Sequence, residues 1–384
     1  MSRRVRRAAS VPGCRPLAAA LAVAVVATAS VAGCGKAPGS GETAARGTLE
    51  EGFAVGLLLP ESKTARYEAF DRPLIERHVK QACPRCSLLY LNAQQDAAKQ
   101  QSQADSLLSQ GVQALILGAV DARAAGAVVE RAKEQGVPVV AYDRFASGPV
   151  SYFVTFDNEK VGEEQGKALL EALRAGGDPK RGPILMINGS ATDPNAADFK
   201  RGAHSVLDGN VVVGFETDTP DWSPDKAQQA VEQALTKLGA SSVVGVYAAN
   251  DGLASGAIAA LKGHGVSPMP PVTGQDAELA GIQRVLAGDQ YMTIYKPYAR
   301  EAETAARMAL AAALGEPYDA ASYGEELVEQ TNASGHRVPS VLLPVVAVTR
   351  ATVASTVVAD GVYSAGQVCT PAFQAACEQA GLLP

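Results

Sequence analysis

From residue 53 the chain alternates near-continuous apolar runs with amphipathic stretches, and it does so twice. FAVGLLLP (53–60), SLLYLNA (87–93), VQALILGAV (112–120), VPVVAYD (137–143) and YFVTF (152–156) have strand length. Between them, 65–82, 97–110 and 122–135 read as amphipathic helices. A helix opens at 158 and the rhythm restarts. GPILMING (182–189), VVVGFET (211–217), VVGVYAAND (243–251), PVTGQD (271–276) and YMTIY (291–295) are the strands, and 196–207, 223–238, 252–264 and 277–287 the helices. A strand that is apolar throughout must be covered on both faces, which is what parallel sheets flanked by helices provide. Two such blocks in 384 residues predict an α/β protein of two doubly wound lobes with a cleft between them. A hydrophobic content of 47% against 19% charged residues is enough to fill two cores.

In open α/β sheets, ligands sit beyond the carboxyl ends of the strands. The expected tips here are unusually polar. They include Asp121, Asp143-Arg144, Asp157-Asn158, Asn188, Asn250-Asp251, Gln275-Asp276 and Lys296. Helix N-capping accounts for some of these, with Asp121, Asp157 and Asp251 the clearest cases. Capping does not ask for an arginine beside the aspartate, as in Asp143-Arg144. A sugar does. Each hydroxyl both donates and accepts, so a buried sugar needs carboxylates and fixed guanidinium donors together. A local surface ion pair is the alternative reading.

The amino terminus is a leader rather than part of the fold. MSRRVRR is followed by the short Ala-rich run PLAAALAVAVVATASVAG (16–33) and then Cys34. A charged start, an apolar middle and small residues before a cut are the marks of secretion. Arg3-Arg4 leaves Sec and twin-arginine export both open. Val31-Ala32-Gly33-Cys34 resembles a bacterial lipobox, which implies removal of residues 1–33 and a diacylglycerol on Cys34. A plain signal peptide with a chance cysteine and a membrane anchor are the alternatives, although the run is short for a span. Residues 34–52 would then be the lipidated cysteine and a flexible tether. Four cysteines remain, Cys83, Cys86, Cys369 and Cys377. An even number outside the cytoplasm suggests disulfides with three possible pairings, and the local pairs Cys83–Cys86 and Cys369–Cys377 are the expectation. CPRC as a redox motif would need a strand before it and a helix after, and the pattern runs the other way.

Several stretches together resemble a known family. TARYEAFDRP (64–73), AYDR (141–144), FDNEKVGE (156–163), AANDGLASGA (248–257), TGQDAELAGIQRVLAG (273–288) and MTIYKP (292–297) look like the type I solute-binding proteins of sugar ABC importers. The ribose/xylose type is nearest, and within it the D-xylose-binding proteins. The resemblance spans roughly 53 to 350. It implies two Rossmann-like lobes joined by three crossing segments, closing on a monosaccharide like a hinged trap. The crossings would lie near 156–158, near 296–297 and near 335–341. The first lobe would be 53–156 plus 298–335, the second 157–297 plus 336–384. The implied ligand residues are Arg66, Tyr67, Asp143, Arg144, Asn195, Trp222, Asn250, Asp276 and Lys296, with Asp121 a weaker match. Trp222, the single tryptophan, would cover a sugar face. The implied partners are the sugar and an ABC permease. The protein would be a monomer, held to the outer face of a bacterial cytoplasmic membrane by its lipid.

Other classes find little support. A net charge of −6 without a basic block in the mature chain argues against nucleic acid. His78, His204, His264 and His336 are scattered without metal-ligand spacing, so no metal and no cofactor are expected. There is no G-x-S-x-G elbow, and GEEQGKA (162–168) lacks the spacing of a phosphate loop. A secreted sugar hydrolase would need two carboxylates across one bond, and Asp143 and Asp276 could be offered. A module reporting to a membrane sensor kinase would look the same as a transport receptor.

Overall fold

The computed structural model describes residues 47–383. The expected leader, Cys34 and most of the tether lie outside the described residues. Among the described residues no helix is long and apolar enough to cross a membrane.

The first lobe begins β1 (Ala54–Leu59), α1 (Arg72–Ala82), β2 (Ser87–Asn92), α2 (Ala97–Ser109), β3 (Ala114–Leu117), α3 (Gly126–Glu134), β4 (Val139–Tyr142), β5 (Tyr152–Phe156). Strands β3 and β4 are buried along their whole length, as the apolar runs require. Alternate side chains of β1 serve opposite faces. Val55, Leu57 and Leu59 pack with Ile75 and Val79 of α1, while Leu58 packs with Leu107 and Leu108 of α2.

The second lobe follows as α4 (Asn158–Ala175), β6 (Pro183–Asn188), α5 (Pro194–Leu207), β7 (Val212–Asp218), α6 (Pro224–Leu238), β8 (Gly245–Ala248), α7 (Asp251–Gly263), α8 (Leu279–Ala287) and β9 (Met292–Tyr295). Helices α4 and α5 cross almost in contact. A Cβ on Gly162 would stand 1.9 Å from Phe199 O, and one on Gly202 2.0 Å from Glu159 O, so only glycine fits at either. The chain returns to the first lobe as α9 (Tyr298–Leu314), β10 (Val328–Thr331) and β11 (Arg337–Leu343), then leaves for β12 (Val346–Thr349) and a tail with α10 (Ala365–Val368) and α11 (Gln374–Gln379).

The larger sheet has the order β10-β11-β5-β4-β3-β1-β2, parallel except for β10 against β11. In the second lobe β7-β6-β8 are parallel, and β9 pairs antiparallel with β12. Residues 271–276 do not form the expected regular strand. They make one bridge, Val246 to Val272, and serve as a splice between the two groups of strands. Thr273 N–H donates to Val246 O on one side, and Ile294 N–H to Gly274 O on the other.

The third crossing differs from expectation. Residues 337–343 lie inside β11, whose Ser340–Leu343 pair in parallel with Phe153–Phe156 of β5. The chain therefore leaves the first sheet after Leu343, at 344–345, and 336–343 belong to the first lobe rather than the second. The physical reason is β10. It pairs with β11 on the side away from β5, so this proline-containing segment is held within the first sheet and β10 forms the edge. From 346 onward the tail packs on the second lobe, where Val353, Val357 and Val368 share a core with Ile282 and Val285 of α8. Cys83 is joined to Cys86, and Cys369 to Cys377.

Candidate functional site

Strand tips of both lobes meet in one cleft, and its first-lobe wall is built around Asp143. The chain leaves β4 through Asp143 in left-handed backbone, φ 59°. That conformation is uncommon for any residue but glycine and is tolerated best by Asp and Asn. Asp143 N–H donates to Val154 O, and its carbonyl accepts from Thr155 Oγ1 at 2.8 Å. Its carboxylate is held from both sides. Tyr67 OH donates to Oδ2 at 2.6 Å and Arg66 Nη1 to Oδ1 at 3.2 Å. Arg66 is itself clamped by Asp71, whose two oxygens each accept at 2.8 Å, and by Glu301 of α9. Burial alone would raise the Asp143 carboxyl, but Arg66, Lys296 and Arg144 outweigh it and hold it at about 2. Burial acts against the charge on Arg66, and its three carboxylates overcome this and keep it protonated.

Arg144 reaches across the cleft. Its Nε lies 2.8 Å from Asp193 Oδ2 of the second lobe but is not aligned as a hydrogen-bond donor, and Nη2 is 3.5 Å from buried Glu61. Asn195 Nδ2 crosses too, donating to Asp143 O at 3.0 Å. The two lobes are thus in contact around the site.

The second-lobe wall starts with Asp193, which caps α5 by accepting from Asn195 N–H. Its other oxygen accepts from Trp222 Nε1 at 3.1 Å. Burial pushes the Asp193 carboxyl up to about 6, with Arg144 opposing. Trp222 also has left-handed backbone, φ 52°, which is costly for a bulky residue. Its ring lies edge-on to Phe199 and against Gly189, where a Cβ would come within 2.1 Å of the indole. Asn250 caps α7, accepting from Leu253 N–H at 2.8 Å. Asp276 ends the splice segment, again in left-handed backbone at φ 84°. Lys296 stands 3.4 Å from Asp276 Oδ1, with its ammonium over the rings of Phe156 and Phe199.

These walls line a small polar pocket between the lobes. Arg66, Tyr67, Asp143, Arg144, Asn195, Trp222, Asn250, Asp276 and Lys296 all line it. Asp121 does not. Its Oδ1 accepts from Arg123 and Ala124 N–H, so it caps the approach to α3. Thr64, Asp193 and Phe199 line the cavity without having been anticipated, and Gln275 lines it at one of the expected strand tips. Asp193-Pro194 reads in sequence as a helix start, and that signal hides its second role.

Three cationic residues, Arg66, Arg144 and Lys296, face three acids, Asp143, Asp193 and Asp276, so the lining is balanced in charge. Three buried atoms in it lack hydrogen-bond partners: Arg144 Nε, a donor, and Gln275 Oε1 and Asp276 Oδ1, acceptors. Leaving such groups unmade costs about 1–3 kcal/mol each. A neutral molecule rich in hydroxyls satisfies both kinds.

Comparison with known proteins agrees with this architecture. Residues 55–317 match the periplasmic binding protein domain family. Over 321 residues the chain is 31% identical to the D-xylose-binding periplasmic protein of Escherichia coli (strain K12), spanning 82% of this chain and 92% of that one. It is 32% identical over 335 residues to the multiple sugar-binding periplasmic receptor ChvE of Rhizobium radiobacter, covering 82% and 92%. The crystal structure of an ABC transporter solute-binding protein from Clostridium phytofermentans with bound β-D-glucose superposes with a TM-score of 0.75 at 28% identity, over 82% of this chain and 99% of that one. The chain belongs to the periplasmic binding protein family, whose matched members are binding proteins and receptors rather than enzymes.

Proposed function

We propose that this chain is an extracytoplasmic, lipid-anchored binding protein that captures a monosaccharide, D-xylose in the first instance, and delivers it to an ABC permease. The observation that carries this reading is the set of unpartnered donor and acceptors in a charge-balanced pocket lined from both lobes. In it, Asp143 and Asp276 accept from hydroxyls, Arg66, Arg144, Asn195, Asn250 and Lys296 complete the polar contacts, and Tyr67 and Trp222 supply the flat walls. The sugar touches both lobes, so its contacts favour the closed form over an open one. Charge balance favours a neutral sugar over a sugar acid. The names of the Escherichia and Rhizobium relatives support a sugar, and the first supports xylose. D-glucose is the second reading, favoured by the glucose-bound structural neighbours. Lipid attachment rests on the Val31–Cys34 motif.

The test is calorimetric titration of the chain from residue 35 with D-xylose, D-ribose, D-glucose, D-galactose and L-arabinose. One-to-one binding of xylose, with the sugar recovered unchanged, is the expected result. Tighter binding of glucose moves the cargo to a hexose. No binding to any of them removes the sugar reading while leaving the fold in place.

A further inference from the structure

A carboxylate outside the sugar cavity also spans the cleft. Glu278 sits at the rim, one residue before α8. It does not cap that helix with its side chain. Its backbone N–H donates to Asp251 Oδ2 at 2.9 Å, and its own Oε1 accepts from Ala65 N–H of the first-lobe loop at 3.3 Å. This contact joins the lobes without any atom of the cavity lining.

The surroundings are hostile to a negative charge. Asp251 is fully buried beside it, and Asp276 lies near on the same lobe. Tyr363 of the tail faces it as well. Arg284 is the cation in reach, but it is committed elsewhere, with Nη2 donating to Asp251 O at 2.8 Å and Nε to Gln290 Oε1 at 3.0 Å. Asp251 in turn is held by Gln290 Nε2. Among the described residues, the first lobe offers Glu278 the Ala65 N–H alone, because the neighbouring Arg66 guanidinium is turned towards Asp71, Glu301 and Asp143.

We propose that Glu278 is a positioning residue for closure, taken up in its neutral form as the Ala65 loop docks on it, so that the cleft closes together with one proton drawn from bulk water. This rests on the lobe-closing sugar reading above and adds its regulation. Burial first, then Asp251 and Asp276, push this carboxyl up to about 8. With the lobes apart, water returns to it while Asp251 and Asp276 stay beside it, so the carboxyl falls below its closed-cleft value to the extent that burial by the first lobe raised it. The closed form therefore gains relative to the open one as pH falls through about 8, and ligand affinity rises with it.

The experiment is calorimetric titration with D-xylose, and with D-glucose if that binds more tightly, at pH 6.5 in phosphate and in imidazole. The difference in heats counts the protons taken up. The expected result is a net uptake of protons by the native chain on sugar binding, and a Kd that weakens between pH 6.5 and 8.5. Glu278→Gln, which keeps the acceptor oxygen, should bind with much of this uptake gone and a flatter profile. Asp193 and Asp251 can also take up a proton on closure, so uptake unchanged in Glu278→Gln assigns it to another group and overturns the proposal. Tight binding by the native chain without proton uptake overturns it too, while leaving the sugar reading standing. Failure to bind any sugar removes both.

Discussion

Asp143 and Asp276 hold matching places in the two lobes and are treated differently. Both end a strand-like segment at the cleft, and both do so in left-handed backbone. Asp143 is tied by Tyr67 and Arg66, with Asp71 and Glu301 behind. Asp276 has an oxygen without a hydrogen-bond partner, and Gln275 beside it has another. Asp143 is thus satisfied by its own lobe, while Arg144 Nε beside it and Gln275 and Asp276 opposite keep buried atoms without a hydrogen-bond partner. The contrast lies between two acids, one clamped and one incompletely bonded.

Three substitutions test that asymmetry. Asp143→Ala should have the largest effect, because it strips a counter-charge from a buried arginine. Breaking such a pair costs about 3–5 kcal/mol, so both sugar affinity and melting temperature should fall. A variant that loses affinity but melts as the native chain does would show that Asp143 is not part of the first lobe's framework.

The next effect is a pH dependence, in which the two lobes carry opposite signs. Asp143, held at about 2, contributes stability that is present above the unfolded value of 3.8 and is lost as pH falls towards 2. Asp193, pushed up to about 6, contributes stability that is complete below 3.8 and is lost as pH rises through 6. Denaturant titrations of native chain and Asp193→Asn should therefore differ in slope between pH 4 and 6, with the native chain losing on the order of 2–3 kcal/mol relative to the variant. Parallel curves would mean that Asp193 gains nothing from its neutral form.

Asp276→Asn should be the mildest. It keeps shape and hydrogen-bonding capacity but removes the charge that faces buried Lys296. A loss of about 1–3 kcal/mol in sugar binding is expected from weakened bonds to a charged acceptor, with a fall in melting temperature smaller than that of Asp143→Ala. If stability fell as it does for Asp143→Ala, the contrast between the walls would be gone.

Much of the cleft was readable in one dimension. Apolar runs such as VQALILGAV and VPVVAYD identify buried parallel strands, and parallel strands put their carboxyl tips on one side. Naming the polar residue after each run therefore names most of the wall. Asp121 failed this reasoning because capping and ligand contact use the same residue type at the same kind of place. Asp193 failed it from the opposite direction, since its role depends on Trp222 and Arg144, which are distant in sequence. The third crossing was misplaced because RVPSVLL contains a proline, which argues against an inner strand, and only its pairing with β5 and β10 shows that it is one.

Local sequence determined that this chain forms two doubly wound α/β halves, because hydrophobic periodicity needs only neighbours along the chain. It also determined which polar residues stand at the strand ends. Tertiary structure decided which of them are satisfied. Whether Arg66 spends itself on Asp71 and Glu301, whether Asp276 Oδ1 is left without a hydrogen bond, and whether Glu278 meets Ala65 are questions settled by how the folded segments meet. Hydrogen bonding and electrostatics act through space at a few ångströms, so the state of each charge is set only when the lobes are built and brought together.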